Sequence, residues 1–484
     1  MDELDIAAIT KRSIQGVFAF VSRTLFIQII NFVVNILLTI YLSPLVFGVY
    51  FLVTAVIAFL QYFSDIGLAA ALIQKKEQLT KEDLATTFTI QQVLVITAVV
   101  FALLISPWVG TFYHLNKAGT YLLQALIISF FLSSLKTIPS VLLERNLRFE
   151  KLVIPQIVET LFFNLTALLF AIKGFGVMSF AYAVLARGAS GLITMYFISP
   201  WMPRIGFSKA VAKRLLSFGI PFQLNSFLAL IKDDLFIAYI GKVLPLTQVG
   251  YIGFAQKWAF TPLRLIMDNI IRITFPSFSR LQHEKELLGK AVEKSLFVLA
   301  LLVFPSLVGL VSLAPLFLQV IPKYQKWEPA LVSLLFFAIS AAFASISTPL
   351  TNALNAIGKI KTTLYFMVFW TIATWFLTPI TIFMYGFNGV AIAAAVISLS
   401  SVAVLYVAKK YVDFHIFKIV TVPLIGSAVM GFVLYLIQPY LPQTLLTILI
   451  LIILGGLLYL GIVLLFAKDE VITDLKTIKR QLLR

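Results

Sequence analysis

The sequence predicts an all-α polytopic membrane protein of about fourteen transmembrane helices. The expected plan is two six-helix bundles, related by a pseudo-two-fold axis along the membrane normal, plus two C-terminal helices. Three observations predict it. The 484 residues are 60% hydrophobic with a mean hydropathy of +0.99, more apolar surface than a soluble core can use. The apolar residues fall into runs of roughly 20 or more, the length that crosses a ~30 Å hydrocarbon core as a helix. Two of those runs, starting at Pro44 and Pro245, begin and end alike although they lie six spans apart.

In chain order the runs lie at 14–42, 45–73, 85–112, 119–143, 152–172, 177–198, 215–241, 246–276, 291–320, 328–355, 360–383, 388–408, 416–437 and 442–466. The first six define an N-terminal bundle over 1–200. Residues 201–214 form a linker, 215–411 a second bundle, and 412–484 two extra helices with a basic tail. No polar stretch is long enough to bury a core of its own. Met1 to Ile9 is acidic and mixed, unlike the basic start of a cleavable signal.

Lysine and arginine crowd onto one side. In the first half that side carries Lys11, Arg12, Lys75, Lys76, Lys81, Arg145, Arg148 and Lys151. The linker adds Arg204, Lys209, Lys213 and Arg214. The opposite side of the whole chain carries Lys117, Lys173, Lys242, Lys323 and Lys326. This bias places both termini in the cytoplasm and favours an even number of spans. Within the linker, 203–214 (PRIGFSKAVAKR) reads as an amphipathic segment on the anionic inner leaflet.

The repeat pairs PLVFGVYFLVTAV from Pro44, reaching Asp65, with PLTQVGYIGFAQKW from Pro245, reaching Asp268. The offset is 201 residues at the prolines and 203 at the aspartates, by subtraction of their positions. An even number of intervening spans gives the copies one orientation, a parallel repeat. In such folds the substrate site lies near mid-depth at the repeat interface.

Charges inside the spans are the chemistry-bearing residues. The basic ones are Arg23, Lys136, Arg187, Lys232, Lys257, Arg264 and Arg272; the acidic ones are Asp65, Glu159, Asp233, Asp234 and Asp268. A charge at mid-membrane costs at least about 2.5–3.5 kcal/mol, so such residues mark a polar pathway or pair with one another. Lys257, Arg264, Asp268 and Arg272 stand at i, i+7, i+11 and i+15, one face of a helix, with Thr261 beside them. They read as a cationic stripe with Asp268 positioning both arginines, or as an ion-pair ladder between helices. Thr24, Gln28, Asn31, Asn35 and Thr39 form a polar stripe suited to sugar hydroxyls or to interhelical hydrogen bonds. Arg23 lies about a quarter-turn away, positioned to attract a phosphate or to snorkel.

Lys232-Asp233-Asp234 cannot share one helix face. Its acids are candidates for ion coupling, or neutralise the cations of the next span. Asp65 reads as a helix cap, and Glu159 as a partner for Lys136 or Arg187. Pro262 sits inside the cationic stripe and is expected to kink it.

Several classes are excluded. The net charge of +17 is dispersed over many loops, so it is not a nucleic-acid footprint. With no cysteine, thiol catalysis, disulfides and cysteine metal sites are absent. The three histidines, His114, His283 and His415, fall in or beside loops. No catalytic group, metal site or phosphate-binding nucleotide loop is expected.

Two stretches carry a family resemblance. LSPLVFGVYFLVTAVIAFLQYFSDIGLAAALIQKK (42–76) resembles the second helix of bacterial oligosaccharide flippases of the polysaccharide transporter family, the Wzx-like proteins. Residues 230–282 resemble their seventh and eighth helices. Asp233 or Asp234, Gly241, Gly250-Tyr251 and Pro276-Ser277-Phe278-Ser279-Arg280 stand in the positions of that pattern. That family belongs to the multidrug, oligosaccharidyl-lipid and polysaccharide flippase superfamily.

The resemblance implies a non-enzymatic flippase of the bacterial inner membrane. Its implied substrate is a polyprenyl-diphosphate-linked oligosaccharide, moved from inner to outer leaflet by alternating access through a cationic central cavity. Cations would take the diphosphate, amides and hydroxyls the sugars. The expected substrate set is Arg23, Gln28, Asn31, Asn35, Lys257, Arg264, Asp268 and Arg272. Expected partners are membrane lipids and the polymerase or glycosyltransferase machinery of polysaccharide assembly, with H+ or Na+ as the coupling ion and no other cofactor. The alternative is a multidrug or small-solute antiporter of the same fold. A membrane-bound glycosyltransferase or ligase fits poorly, because the outer loops are short and nearly uncharged.

Overall fold

The computed structural model describes residues 27–28, 30–64, 67–75, 77–224 and 227–466. Arg23, Thr24 and Asp65 lie outside the described residues. By the density of their contacts the residues form two units, Met1–Gly250 and Tyr251–Arg484.

The first unit contains α1 (Ile30–Tyr41), α2 (Pro44–Ser64), α3 (Leu68–Gln74), α4 (Lys81–Phe112), α5 (Lys117–Leu135) and α6 (Thr137–Arg145). It continues with α7 (Phe149–Ile172), α8 (Val177–Ile198), α9 (Lys209–Leu224), α10 (Phe227–Lys232), α11 (Asp234–Val243) and the opening residues of α12 (Leu246–Arg280). The second unit holds the rest of α12, then α13 (Lys285–Val320), α14 (Ala330–Ala356), α15 (Ile360–Tyr385), α16 (Gly389–Ser398), α17 (Ser401–Lys409), α18 (Ile416–Ile437) and α19 (Leu445–Phe466). No strand occurs among the described residues.

Local chemistry explains the helix starts. Thr80 and Asp83 close a capping box on α4: each side chain accepts from the other residue's backbone N–H, at 3.1 and 2.8 Å. Asn116 caps α5 by accepting from the Gly119 N–H at 2.9 Å. Pro44 occupies the first position of α2, where its missing N–H leaves nothing unsatisfied.

Ten helical stretches among the described residues are long and apolar enough to cross a membrane. One of them, Ile360–Lys409, turns back at Gly386, so that α15 and α16 pack against each other. Three expected spans stand apart from this set for different reasons. The first begins outside the described residues and leaves Ile30–Tyr41. The eighth, α12, is a single helix of 35 residues, uninterrupted at Pro262 and Pro276, but its polar and charged residues dilute its hydropathy.

The seventh corrects the sequence expectation. Instead of one continuous helix over 215–241, the described residues break at Asp233, where α10 ends at Lys232 and α11 begins at Asp234. The physical reason is the Lys232-Asp233-Asp234 run. Successive charges on a continuous helix would project in three directions, so no rotation puts them all on one face. Short aspartate side chains also compete with the backbone for hydrogen bonds.

The interiors are apolar. Leu68, Leu72, Phe88, Ile138 and Val141 form a cluster in the first unit. In the second, Phe278, Leu288, Val292, Leu350, Val404 and Phe414 do the same. Trp327 is fully buried and stacks on Phe254 with ring centroids 4.2 Å apart. Large apolar side chains also cover the outside, Leu104 at 75% and Phe383 at 92% exposure among them, as a lipid-facing surface requires.

Helix α2 is held differently at its two ends. Near its start, Gly48 and Gly250 let the backbones of α2 and the first turn of α12 touch. A Cβ on Gly48 would lie 1.7 Å from the Leu246 carbonyl oxygen, and one on Gly250 would lie 1.9 Å from that of Pro44. Toward its other end, the Tyr62 hydroxyl donates to the Gln223 carbonyl at 2.8 Å, and the Gln223 amide donates to the Tyr62 carbonyl at 3.1 Å.

A candidate cationic translocation site

Helix α12 has two chemically distinct faces. Ile252, Ala255, Ala259 and Leu263 are buried at spacings of three and four residues. The other face carries Lys257, Arg264, Asp268 and Arg272, all exposed, with Thr261 half-buried and donating its hydroxyl to the Lys257 carbonyl at 2.6 Å. The helix period therefore puts the expected residues on one stripe. At 1.5 Å per residue, Lys257 lies ~16 Å and Arg264 ~27 Å along the helix from Leu246, within the thickness of a hydrocarbon core. Arg272 lies ~39 Å along, at headgroup depth.

One expected contact is not made. Asp268 forms no ion pair with Arg264 or Arg272 among the described residues. Exposed carboxylate–arginine pairs one turn apart are worth only about 0.3–0.5 kcal/mol, too little to fix two long side chains. The arginines therefore keep their guanidinium donors open. Arginine presents a planar fork that matches two phosphate oxygens at once, and lysine a compact point charge.

The acidic run lies at the α10–α11 break. Lys232 reaches Asp233 at 3.9 Å, and the Asp233 side chain is two-thirds exposed. Asp234 opens α11 and makes no ion pair among the described residues.

The polar stripe of α1 is partly structural. Asn31 accepts a hydrogen bond from the amide of Asn164 on α7 at 2.8 Å, yet stays exposed. Thr39 donates to backbone carbonyls of its own helix, at 2.7 Å to Ile36 and 3.0 Å to Asn35. The buried Gln28 Oε1 has no hydrogen-bond partner among the described residues. Arg23, the remaining expected contact, lies outside the described residues.

Other intramembrane charges are paired within the protein. Glu159 on α7 accepts from Lys136 Nζ with one oxygen and faces Arg187 Nε at 3.6 Å with the other. Gly191 on α8 makes the room, since a Cβ there would lie 2.1 Å from Glu159 Oε1. Both expected partners meet the one carboxylate, so this cluster is framework.

The sequence reading missed Asp83. Its buried carboxylate accepts from Lys75 at 2.5 Å, Arg214 at 2.6 Å and the Thr80 hydroxyl at 2.9 Å, besides its capping bond. It thereby ties the loop before α4 to α9. The Thr80-to-Asp83 spacing was a usable local signal, but the Arg214 partner lies 131 residues away. No group of three or more His, Asp or Glu positioned to hold a metal occurs among the described residues.

Residues 37–332 match the model of a family described as polysaccharide biosynthesis protein. The chain belongs to this family. Among relatives of this polysaccharide biosynthesis protein is an uncharacterized membrane protein in the cps region of Klebsiella pneumoniae, 25% identical over 346 residues and 71% of each chain. Another is the teichuronic acid biosynthesis protein TuaB of Bacillus subtilis, 24% identical over 310 residues and 63% of each chain. In three dimensions the fold matches that of the lipid II flippase MurJ in an inward closed conformation. The TM-score is 0.77 at 17% identity, covering 93% of this chain and 99% of that one.

Proposed function

We propose that this protein flips a polyprenyl-diphosphate-linked oligosaccharide, the repeat unit of a polysaccharide, from the inner to the outer leaflet. The observation that carries the reading is the exposed cationic stripe of α12 in a member of a polysaccharide biosynthesis family. A charged face turned to lipid would cost at least about 2.5–3.5 kcal/mol per mid-depth charge. The same face lining a cationic cavity is solvated and attracts phosphate. Arg264 and Arg272 grip the diphosphate, Lys257 adds positive potential, and Gln28, Asn31 and Asn35 meet sugar groups. Asp268, which holds neither arginine, is the acid of the same stripe, open to hydroxyls of the cargo. Asp233 and Asp234, at the helix break, are the coupling candidates for H+ or Na+.

The protein works as a transporter, not an enzyme, in the bacterial inner membrane. Both termini are cytoplasmic, and it hands its cargo to polymerase or glycosyltransferase machinery. A drug antiporter for organic cations calls for an acidic face, whereas this one carries two arginines and a lysine to one aspartate.

The test is reconstitution in proteoliposomes with a fluorescent lipid-diphosphate oligosaccharide, following its transbilayer movement for wild type and Arg264→Ala. Movement in wild type that drops in the variant supports the reading. Equal movement in both removes α12 from the substrate path. Movement of organic cations, without movement of the lipid, overturns it.

A further inference from the structure

A second cationic site lies within the first unit, built from residues other than those of the α12 stripe. Residues 201–208, in no regular secondary structure, run along the early turns of α4 before α9 begins at Lys209. The Gly206 N–H donates to Thr89 Oγ1 at 3.0 Å, and the Ser208 N–H to Thr86 Oγ1 at 3.1 Å. Trp201 packs edge-on against Phe88, ring centroids 5.1 Å apart. The strap and helix enclose a groove of about 260 Å³, with Lys81 on one wall and Arg204 on the other.

No carboxylate lines that groove. Neither Lys81 nor Arg204 makes an ion pair or hydrogen bond among the described residues. Two like charges facing one cleft with no counter-ion repel each other until an anion enters.

The surroundings identify what kind of anion. Met202, Ile205 and Phe207 on the strap are 79%, 90% and 67% exposed. Farther along α4, about a quarter-turn round from Lys81, Val93, Ile96 and Val100 form a stripe at spacings of three and four residues, all exposed. Acyl chains can lie on that face while the headgroup sits below. Lys81 and Arg204 also belong to the loop cations that the charge bias of the sequence assigns to one side, and the aromatic Trp201 suits headgroup depth. We propose that the groove between α4 and the 201–208 strap binds the phosphate of an anionic glycerophospholipid, gripped by Lys81 and Arg204.

The strap leads into α9, which Asp83 holds through Arg214. A bound lipid thus stiffens the connection between the first six spans and those that follow.

The experiment is native mass spectrometry of the full-length protein, titrated with dioleoyl phosphatidylglycerol, dioleoyl phosphatidylcholine or undecaprenyl phosphate. It compares wild type with the double variants Lys81→Gln/Arg204→Gln and Lys209→Gln/Lys213→Gln. Each cation near an anionic lipid is worth about fivefold, so the first variant should bind phosphatidylglycerol roughly thirtyfold more weakly. Phosphatidylcholine binding should not change, and the second variant should behave as wild type. All four side chains are exposed, so folding should survive, which a thermal melt checks. Equal phosphatidylglycerol binding by wild type and the groove variant overturns the site. Equal loss in both variants reduces it to diffuse surface charge. Preference for undecaprenyl phosphate over phosphatidylglycerol overturns the glycerophospholipid as its occupant.

Discussion

Two groups of charge inside this chain follow opposite rules. At Glu159 the carboxylate faces two cations, is nearly buried, and has a glycine opposite that makes its space. Along α12, two arginines and an aspartate sit on an exposed face without ion pairs among the described residues. In the first group the protein supplies the carboxylate's counter-ions itself. The second group is left for something else to neutralise. A count of intramembrane charges treats them alike, whereas partners and exposure tell framework from site.

The comparison breaks most visibly at Glu159. Glu159→Ala strands Lys136 in the bundle and should destabilise the protein by about 3–5 kcal/mol, read as denaturant or thermal unfolding in detergent. A loss below 1 kcal/mol would mean that the cluster is solvated and not framework. Gly191→Ala keeps the charges but drives a methyl into the carboxylate; about 1–3 kcal/mol is expected by the same measurement. Asn164→Ala removes the hydrogen bond to Asn31 and should cost about 0.6 kcal/mol, the usual worth of such a bond between membrane helices.

The smallest stability effect belongs to Arg264→Ala, expected within about 0.5 kcal/mol of wild type. Its transport rate should nevertheless fall roughly ten- to a hundredfold, the value of a lost charge-assisted hydrogen bond. A variant that unfolds as readily as Glu159→Ala would erase the distinction between the two groups.

How much of this was legible in the sequence depends on how far apart the partners lie. The α12 stripe was readable because the helix period alone decides which of Lys257, Arg264, Asp268 and Arg272 share a face. The capping of α4 was equally local, four adjacent residues from Thr80 to Asp83. The role of Asp83 in tethering α9 was not readable, because it depends on Arg214 across a tertiary contact. Glu159 had two named candidate cations, and only packing could show that it takes both. The break of the seventh span was written in its three consecutive charges, but the apolar residues around them suggested one continuous helix.

The two ends of α2 differ in how reversibly they are held. The Tyr62–Gln223 end is fastened by directional bonds, and pulling it apart exposes carbonyls that must find new donors. The Gly48–Gly250 end is a matter of fit, backbone against backbone across hydrogen-sized side chains. Parting there strands no charge and no side-chain donor, and closing again needs no rotamer search. A load on this helix would open the glycine end first and leave the other fastened, so the sequence of opening is built in by the kind of contact and not by its area.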